Sequence, residues 1–224
     1  MPKSKSLSSL GLHTLNGNDP VINKIVFDSR QAEPGCLFAA LKGGSVHGAN
    51  FVEAVLDAGA SAILTDEEGE LILKGSKIDA LVVVKDARRA FAKAVSLFME
   101  KQPETIVAIT GTNGKTSVAT FCRQLWNKAG IEAINIGTTG VEGSWSTYLN
   151  YTTPDPVQLH QILHKAASEG ITHVAMEASS HGLDQRRLDG VEIKTTAFTN
   201  FSRDHLDYHV SYEDYFNAKK GLFE

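Results

Sequence analysis

Ile106-Val107-Ala108-Ile109-Thr110-Gly111-Thr112-Asn113-Gly114-Lys115-Thr116-Ser117 passes from an unbroken apolar run into a glycine-bounded turn that closes on Gly-Lys-Thr. Four consecutive apolar residues read as a strand buried on both faces, as in parallel sheets. Beyond the turn, Val118, Phe121, Cys122, Leu125, Trp126 and Ala129 recur at helical spacing, and Gly130 supplies a stop. A strand, a glycine-rich turn and a helix in that order aim backbone N–H groups and a helix N-terminus at one point, which suits a phosphate. In such a loop Lys115 reaches the terminal phosphates as a point charge, and the Thr116 hydroxyl holds Mg2+. An ordinary glycine-containing turn is the plain alternative, and the Gly-Lys-Thr triplet in this context argues against it. Only Thr112 and Asn113 separate the two glycines, where the general pattern has four residues; this weakens a GTPase or typical kinase reading.

Downstream, Ala133-Ile134-Asn135-Ile136 reads as a second strand. Asp155-Pro156 opens a helix carrying Leu159, Ile162, Leu163 and Ala166 and ending at Gly170, with Pro156 at the first helical position. Strands are expected again at His173–Met176 and Thr195–Thr199. This alternation predicts a parallel sheet covered on both faces, with ligands at the carboxyl ends of its strands. Three clusters fall there: Tyr151-Thr152-Thr153-Pro154-Asp155 after a hairpin-like insertion (140–150), Glu177-Ala178-Ser179-Ser180-His181-Gly182-Leu183, and the stretch from Thr199-Asn200 to Asp207. A carboxylate leaving a buried strand, as Glu177 does, needs a cation or donors. Mg2+ on nucleotide phosphates meets that need, and capping of a neighbouring element is the alternative. The crowding of Arg203, Asp204, His205, Asp207 and His209 also fits a solvated loop. A last helix begins at Ser211 with Asp214 three residues on, a capping box. Its apolar face is read as Tyr212, Tyr215, Phe216, Leu222 and Phe223, and Lys219 lies on that face. An inward lysine is usually a snorkelling stem or an ion-pair partner.

Upstream, residues 20–100 mix short strands (Ile25–Phe27, Leu37–Ala40, Ala62–Leu64, Leu81–Val84) with a helix around 50–58 and another carrying Ala90, Phe91, Ala94, Val95 and Phe98. Phe51, Val52, Val55 and Leu56 are expected on one face of the first helix. A seam near Lys101-Gln102-Pro103-Glu104 gives domains of 1–102 and 103–224. The polar start, residues 1–6, is expected to be disordered.

The chain has 224 residues, 42% hydrophobic and 21% charged, an ordinary soluble balance. A net charge of −4 gives no global field to hold nucleic acid or an acidic membrane, so any anionic ligand is captured by local groups. Cys36 and Cys122 lie far apart beside apolar residues and read as buried free thiols of a reducing compartment. No signal peptide or membrane-length apolar run is visible, and a cytoplasmic location is the default.

The short loop Gly111-Thr112-Asn113-Gly114-Lys115-Thr116 resembles the ATP loop of Mur ligases and folylpolyglutamate synthetases. Phe27-Asp28-Ser29-Arg30, Pro34-Gly35-Cys36-Leu37-Phe38-Ala39-Ala40 and Gly43-Gly44-Ser45-Val46-His47-Gly48 resemble the uridine-diphosphate-binding domain of the Mur ligases, which folylpolyglutamate synthetases lack. Glu177–Leu183 favours the branch that attaches the third amino acid. The resemblance covers nearly the whole chain. It implies an α/β fold: a small N-terminal α/β UDP-binding domain, then a P-loop parallel-sheet ATPase domain incomplete at its C-terminal end, with the third, amino-acid-binding domain absent.

By that resemblance Gly111, Thr112, Asn113, Gly114, Lys115, Thr116, Ser117 and Asn200 bind ATP, with Lys115 catalytic. Ser29 and Arg30 touch the uridine diphosphate, and His47 lies near the uracil. Thr152, Thr153, Ser179, Gln185 and Arg187 hold the sugar-peptide, Arg187 meeting its phosphate or carboxylate. Thr116, Glu177, His205 and Lys219 ligate Mg2+, Lys219 as a carbamoylated lysine (N6-carboxylysine) formed when a desolvated amine adds carbon dioxide. The implied reaction belongs to peptidoglycan synthesis. The D-glutamyl carboxylate of UDP-N-acetylmuramoyl-L-alanyl-D-glutamate attacks the γ-phosphate of ATP, and the amine of meso-diaminopimelate or L-lysine then attacks the acyl phosphate. A cytoplasmic monomer is expected, binding no nucleic acid and inserting in no membrane, with residues 1–224 alone unable to complete ligation. Rival readings are another Mur-type or cyanophycin-type ligase, a P-loop kinase, and a non-catalytic UDP-sugar-binding protein.

Overall fold

The apolar triplets and quartets of the first hundred residues pair side by side in parallel. In the computed structural model, which describes residues 3–224, an antiparallel ribbon (β1, Lys5–Ser6; β2, Val21–Ile22) precedes a sheet of β3 (Lys24–Val26), β4 (Cys36–Ala39), β5 (Ala62–Thr65) and β6 (Leu81–Val83), arranged in sequence order. Helices α1 (Val52–Asp57), α2 (Glu67–Ile72) and α3 (Ala87–Met99) connect and follow these strands. The central strands β4 and β5 are buried along their whole length, as continuous apolar runs require. Val26, Phe38 and Ile63 pack with Val52, Val55 and Leu73 to form this unit's core. The expectation of a disordered start fails at β1, where Lys5 and Ser6 pair with Ile22 and Val21; Met1 and Pro2 lie outside the described residues. Phe51 does not join the buried face and is 46% exposed. It belongs to a 3-10 turn, Gly48–Phe51, whose three-residue repeat swings it off the face of α1.

The chain divides after Glu100, and Lys101–Glu224 form a second unit. Gln102 belongs to the latter: its amide donates to the Gly190 carbonyl and accepts from the Glu192 N–H, at 2.8 and 3.1 Å. Here β7 (Thr105–Thr110), α4 (Lys115–Lys128), β8 (Ala133–Gly137), β9 (Gly140–Glu142), α5 (Pro156–Ser168), β10 (His173–Glu177), α6 (Ser180–Asp184), β11 (Ile193–Phe198) and α7 (Tyr212–Lys220) follow one another. The strand order is β11-β7-β10-β8-β9, parallel except where β9 turns back on β8. From β7 the chain crosses to β8, returns to fill the gap with β10, and then passes to the opposite edge as β11. The direction of winding therefore reverses at β7, which opens a crevice at its carboxyl end.

Asp155 caps α5 by accepting from Gln158 N at 3.0 Å, with Pro156 in the first turn as read from sequence. On α4 the face differs from expectation. Val118, Cys122 and Trp126 pack against Ile109 and Ala175, whereas Phe121 and Leu125 are 58% and 69% exposed. Each sits one residue before a sheet-facing position, about 100° round the helix. Cys122 is consequently half-buried, while Cys36 is fully buried; both are free thiols. On α7, Tyr215 and Lys219 are buried, while Tyr212 and Phe216 are exposed, as is Phe223 beyond the helix end. Helix α6 has five residues, too few to show a period in sequence. Among the described residues no helix is long and apolar enough to cross a membrane.

Candidate functional site

The turn after β7 bends where glycine is required. Gly111 and Gly114 have φ of 136° and 82°, and a Cβ on Gly111 would sit 2.0 Å from Thr199 Oγ1. The segment leaving β11 braces this turn. Thr112 N donates to Asn200 O at 2.9 Å, Asn113 N to Asn200 Oδ1 at 3.1 Å, and Asn200 Nδ2 to Asn113 O at 3.1 Å. Asn200, an ATP-binding candidate, thus holds the loop through its backbone and both ends of its amide. Thr112 is turned inward, 7% exposed, with its hydroxyl 3.0 Å from Tyr215 Oη. Ser117 lies exposed in the first turn of α4.

Two lysines converge behind the loop. Lys115 Nζ donates to the carbonyls of Gly111 and Thr112 at 2.9 and 2.8 Å, and Lys219 Nζ donates to the same Gly111 carbonyl at 2.8 Å. Burial lowers the Lys115 pKa, against the pull of Glu177 and Asp204. Lys219, 1% exposed, is lowered to about 8, by burial first and then by Lys115. Two ammonium groups sharing one carbonyl oxygen make a pocket that favours an incoming anion.

Across the crevice stands Glu177, 2% exposed at the end of β10. Its Oε1 accepts from Thr116 Oγ1 at 2.9 Å and from Thr138 N at 2.8 Å. Gly137 has no room for a side chain, since a Cβ would lie 2.0 Å from Glu177 Oε1. Hydroxyl, carboxylate and adjoining phosphate space are oxygen donors of the kind Mg2+ prefers, so Thr116 and Glu177 fit the ion. His205 lines the same cleft, held at φ 52° with its ring 5.1 Å from that of His181. Lys219 lies instead at the Gly111 carbonyl. Among the described residues no three carboxylate, imidazole or thiol groups gather closely enough to hold a metal by themselves.

The residues assigned to the sugar-peptide share this cleft, which encloses about 750 Å³ and is lined by Lys115, Thr116, Thr152, Thr153, Glu177, Ser179, Gln185, Arg187 and His205 among others. Thr153 Oγ1 donates to Glu177 O at 2.9 Å and accepts from Ser179 N at 2.9 Å. Ser179 Oγ in turn caps α6, accepting from Gly182 N at 3.1 Å. Arg187 Nη1 donates to Thr153 O at 2.6 Å, and its Nε and Nη2 donate to Gln185 Oε1.

The remaining candidates, Ser29, Arg30 and His47, belong to the first unit. Arg30 is exposed and forms a fork with Asp28, Nε–Oδ1 2.9 Å and Nη2–Oδ2 2.7 Å. The His47 ring is held within its own unit. Its Nδ1 accepts from Ala49 N and its Nε2 lies 3.0 Å from Asp66 Oδ1, so both nitrogens are engaged and the ring is 6% exposed. The exposed part of that loop is Gly43–Val46.

Sequence reasoning passed over Thr138, Tyr151 and His181, all of which line the cleft. Thr138 directly follows β8, so the strand-end rule applied to every strand would have found it. Tyr151 and His181 lie inside the Tyr151–Asp155 and Glu177–Leu183 motifs, where no sequence pattern gives either a role.

Residues 109–224 match the family model described as Mur ligase middle domain, and residues 21–104 that of the Mur ligase family, catalytic domain. The chain belongs to the Mur ligase family. Similar relatives are UDP-N-acetylmuramoyl-L-alanyl-D-glutamate--2,6-diaminopimelate ligases. That of Rhizobium meliloti (strain 1021) is 52% identical over 90% of this chain and 41% of its own length. That of Agrobacterium fabrum (strain C58 / ATCC 33970) is 48% identical over 99% of this chain and 43% of its own. The Mur ligase chain thus spans under half the length of these relatives. A solved structure of a ligase of the same name superposes with a TM-score of 0.83 at 31% identity, covering 99% of this chain and 45% of that one. MurF from Acinetobacter baumannii shares the fold, with a TM-score of 0.63 at 21% identity.

Proposed function

We propose that this chain carries the nucleotide and UDP-sugar-peptide sites of a cytoplasmic ligase that joins 2,6-diaminopimelate to UDP-N-acetylmuramoyl-L-alanyl-D-glutamate at the expense of ATP. The observation that carries the reading is the single cleft uniting Lys115 and Thr116 with Thr153, Ser179 and Arg187. Phosphate-binding groups and groups suited to an anionic sugar-peptide face one space, as transfer of a phosphoryl group between two bound anions requires. The names of the relatives support the choice of substrate and amino acid.

Gly111–Ser117 would wrap the ATP phosphates with backbone N–H groups, and Lys115 would leave its carbonyls for the terminal phosphates. Thr116 and Glu177 would hold Mg2+, with His205 and carbamoylated Lys219 as further ligands. The ion, when bound, neutralises phosphate charge and so favours attack by a carboxylate. Arg187, pinned to Thr153, would fix the anionic part of the sugar-peptide, while Ser29, Arg30 and the loop Gly43–Gly48 around His47 would hold the uridine diphosphate. The substrate carboxylate is itself the nucleophile, so the chain's residues position, shield and neutralise.

Calorimetry on the 224-residue chain tests this. UDP-N-acetylmuramoyl-L-alanyl-D-glutamate is expected to bind at least about tenfold more tightly than UDP-N-acetylglucosamine, a difference of about 1.4 kcal/mol. Equal affinities would overturn the assignment of the sugar-peptide site.

A further inference from the structure

Beside the cleft, four polar side chains form a line in which the first fixes the orientation of every later one. Tyr208 Oη donates to Asp184 Oδ2 at 2.7 Å. Gln185 Nε2 donates to Tyr208 Oη at 3.1 Å. Gln185 Oε1 then accepts from Arg187 Nε at 3.2 Å and Nη2 at 2.7 Å. A carboxylate only accepts, so the single phenolic proton is committed to Asp184 and the oxygen lone pairs of Tyr208 face Gln185. That leaves Gln185 one favourable orientation, amide nitrogen toward Tyr208 and amide oxygen toward Arg187. The reverse orientation would set N–H donors of Gln185 against N–H donors of the guanidinium.

We propose that Tyr208 is a positioning residue for the sugar-peptide site, acting through Gln185 to hold Arg187 in its binding orientation. The inference rests on the assignment of Arg187 to that substrate. Tyr208 is well placed for the task because it belongs to the loop that carries His205, three residues earlier. Its ring also packs on His181, with centroids 4.0 Å apart. The carbonyl of Thr153 at 2.6 Å and the Tyr151 ring, 5.0 Å from the guanidinium carbon, complete the seat of Arg187. The loop bearing a metal-site candidate and the arginine meeting the substrate are thereby joined by hydrogen bonds, so loss of order in one loosens the other.

The test is a thermodynamic cycle on the 224-residue chain with UDP-N-acetylmuramoyl-L-alanyl-D-glutamate as ligand. Tyr208→Phe removes only the hydroxyl and is expected to raise the substrate Kd about fivefold, the effect of one neutral hydrogen bond. The Kd of a non-hydrolysable Mg–ATP analogue should stay within about twofold. In a Gln185→Ala background Tyr208→Phe should add nothing, because its route to Arg187 is already cut. A full fivefold penalty in that background, or none in the wild-type background, overturns the proposal. Hydrogen exchange at Arg187 Nε–H in the unliganded chain gives an independent reading. Faster exchange in Tyr208→Phe supports the relay, and an unchanged rate overturns it. Failure of the wild-type chain to bind the sugar-peptide would remove the functional assignment, while Arg187 exchange would still decide the relay.

Discussion

The Nζ atoms of Lys115 and Lys219 share the carbonyl oxygen of Gly111, at 2.9 and 2.8 Å, although 104 positions (219 − 115) separate the two lysines in the chain. Two positive charges on one oxygen repel each other, and burial deprives both of water. Such an arrangement costs stability in the free protein, and a bound anion would relieve it. It also explains why β7, α4 and α7 must all be in place before the loop has its charge.

Lys115→Met therefore separates stability from binding. Removing a desolvated ammonium while keeping an unbranched stem should leave the unfolding free energy unchanged or raise it slightly, since the pKa of Lys115 is already depressed by burial. Affinity for a non-hydrolysable Mg–ATP analogue should fall by roughly 10- to 100-fold, the worth of a charge-assisted hydrogen bond. Thermal unfolding and calorimetry on the same samples check both halves.

Gly137→Ala tests the opposite wall. The added methyl would fall 2.0 Å from Glu177 Oε1, so the carboxylate must leave its bonds with Thr116 and Thr138. Overpacking and a displaced buried carboxylate together should cost about 1–3 kcal/mol in urea unfolding. The Mg2+ concentration needed for half-maximal analogue binding should also rise, while Mg2+-free nucleotide binding changes less. An unaltered Mg2+ requirement would remove Glu177 from the metal site.

Lys219 gives a chemical test. Its amine is 1% exposed with its pKa lowered to about 8, so at mildly alkaline pH it is far more often neutral, and nucleophilic, than a surface lysine. With 13C-bicarbonate near pH 8, a carbamate carbon resonance should appear in the wild-type chain and vanish in Lys219→Ala. Persistence of the resonance in that variant would place the adduct elsewhere.

Much of this was legible in the sequence because it lay in local patterns. The Ile106–Ile109 run and the Gly-Lys-Thr turn required a strand, a loop and a helix whatever surrounded them. The Ser211–Asp214 box marked the start of α7, where Ser211 Oγ accepts from Asp214 N at 3.0 Å. Facings were less legible. Phe121 and Leu125 satisfy a hydrophobic count but stand off the sheet, since spacing alone does not say which 100° of a helix the sheet will cover. His47 sat in a suggestive motif, yet its ring caps the turn at Ala49 and pairs with Asp66, a partner 19 residues away that no local pattern announces. The Asp184–Tyr208–Gln185–Arg187 line was hidden for the same reason: it joins two loops and depends on donor and acceptor roles that appear only in space.

His160 should set a pH dependence of stability unrelated to the cleft. It lies on the buried face of α5, 1% exposed, and burial pushes its pKa from 6.5 to about 4. Between those values the unfolded chain takes up a proton that the folded chain resists, so stability falls as pH falls. The contribution is present in full above about pH 6.5 and is progressively lost toward about pH 4, below which both states are protonated. His160→Leu has no such proton to gain. Its unfolding free energy should drop less than that of the wild type between pH 7 and pH 4.5, by about 2 kcal/mol from this residue alone. Urea unfolding of both chains across that range measures the difference, and parallel curves would show that His160 is protonated without cost in the folded state.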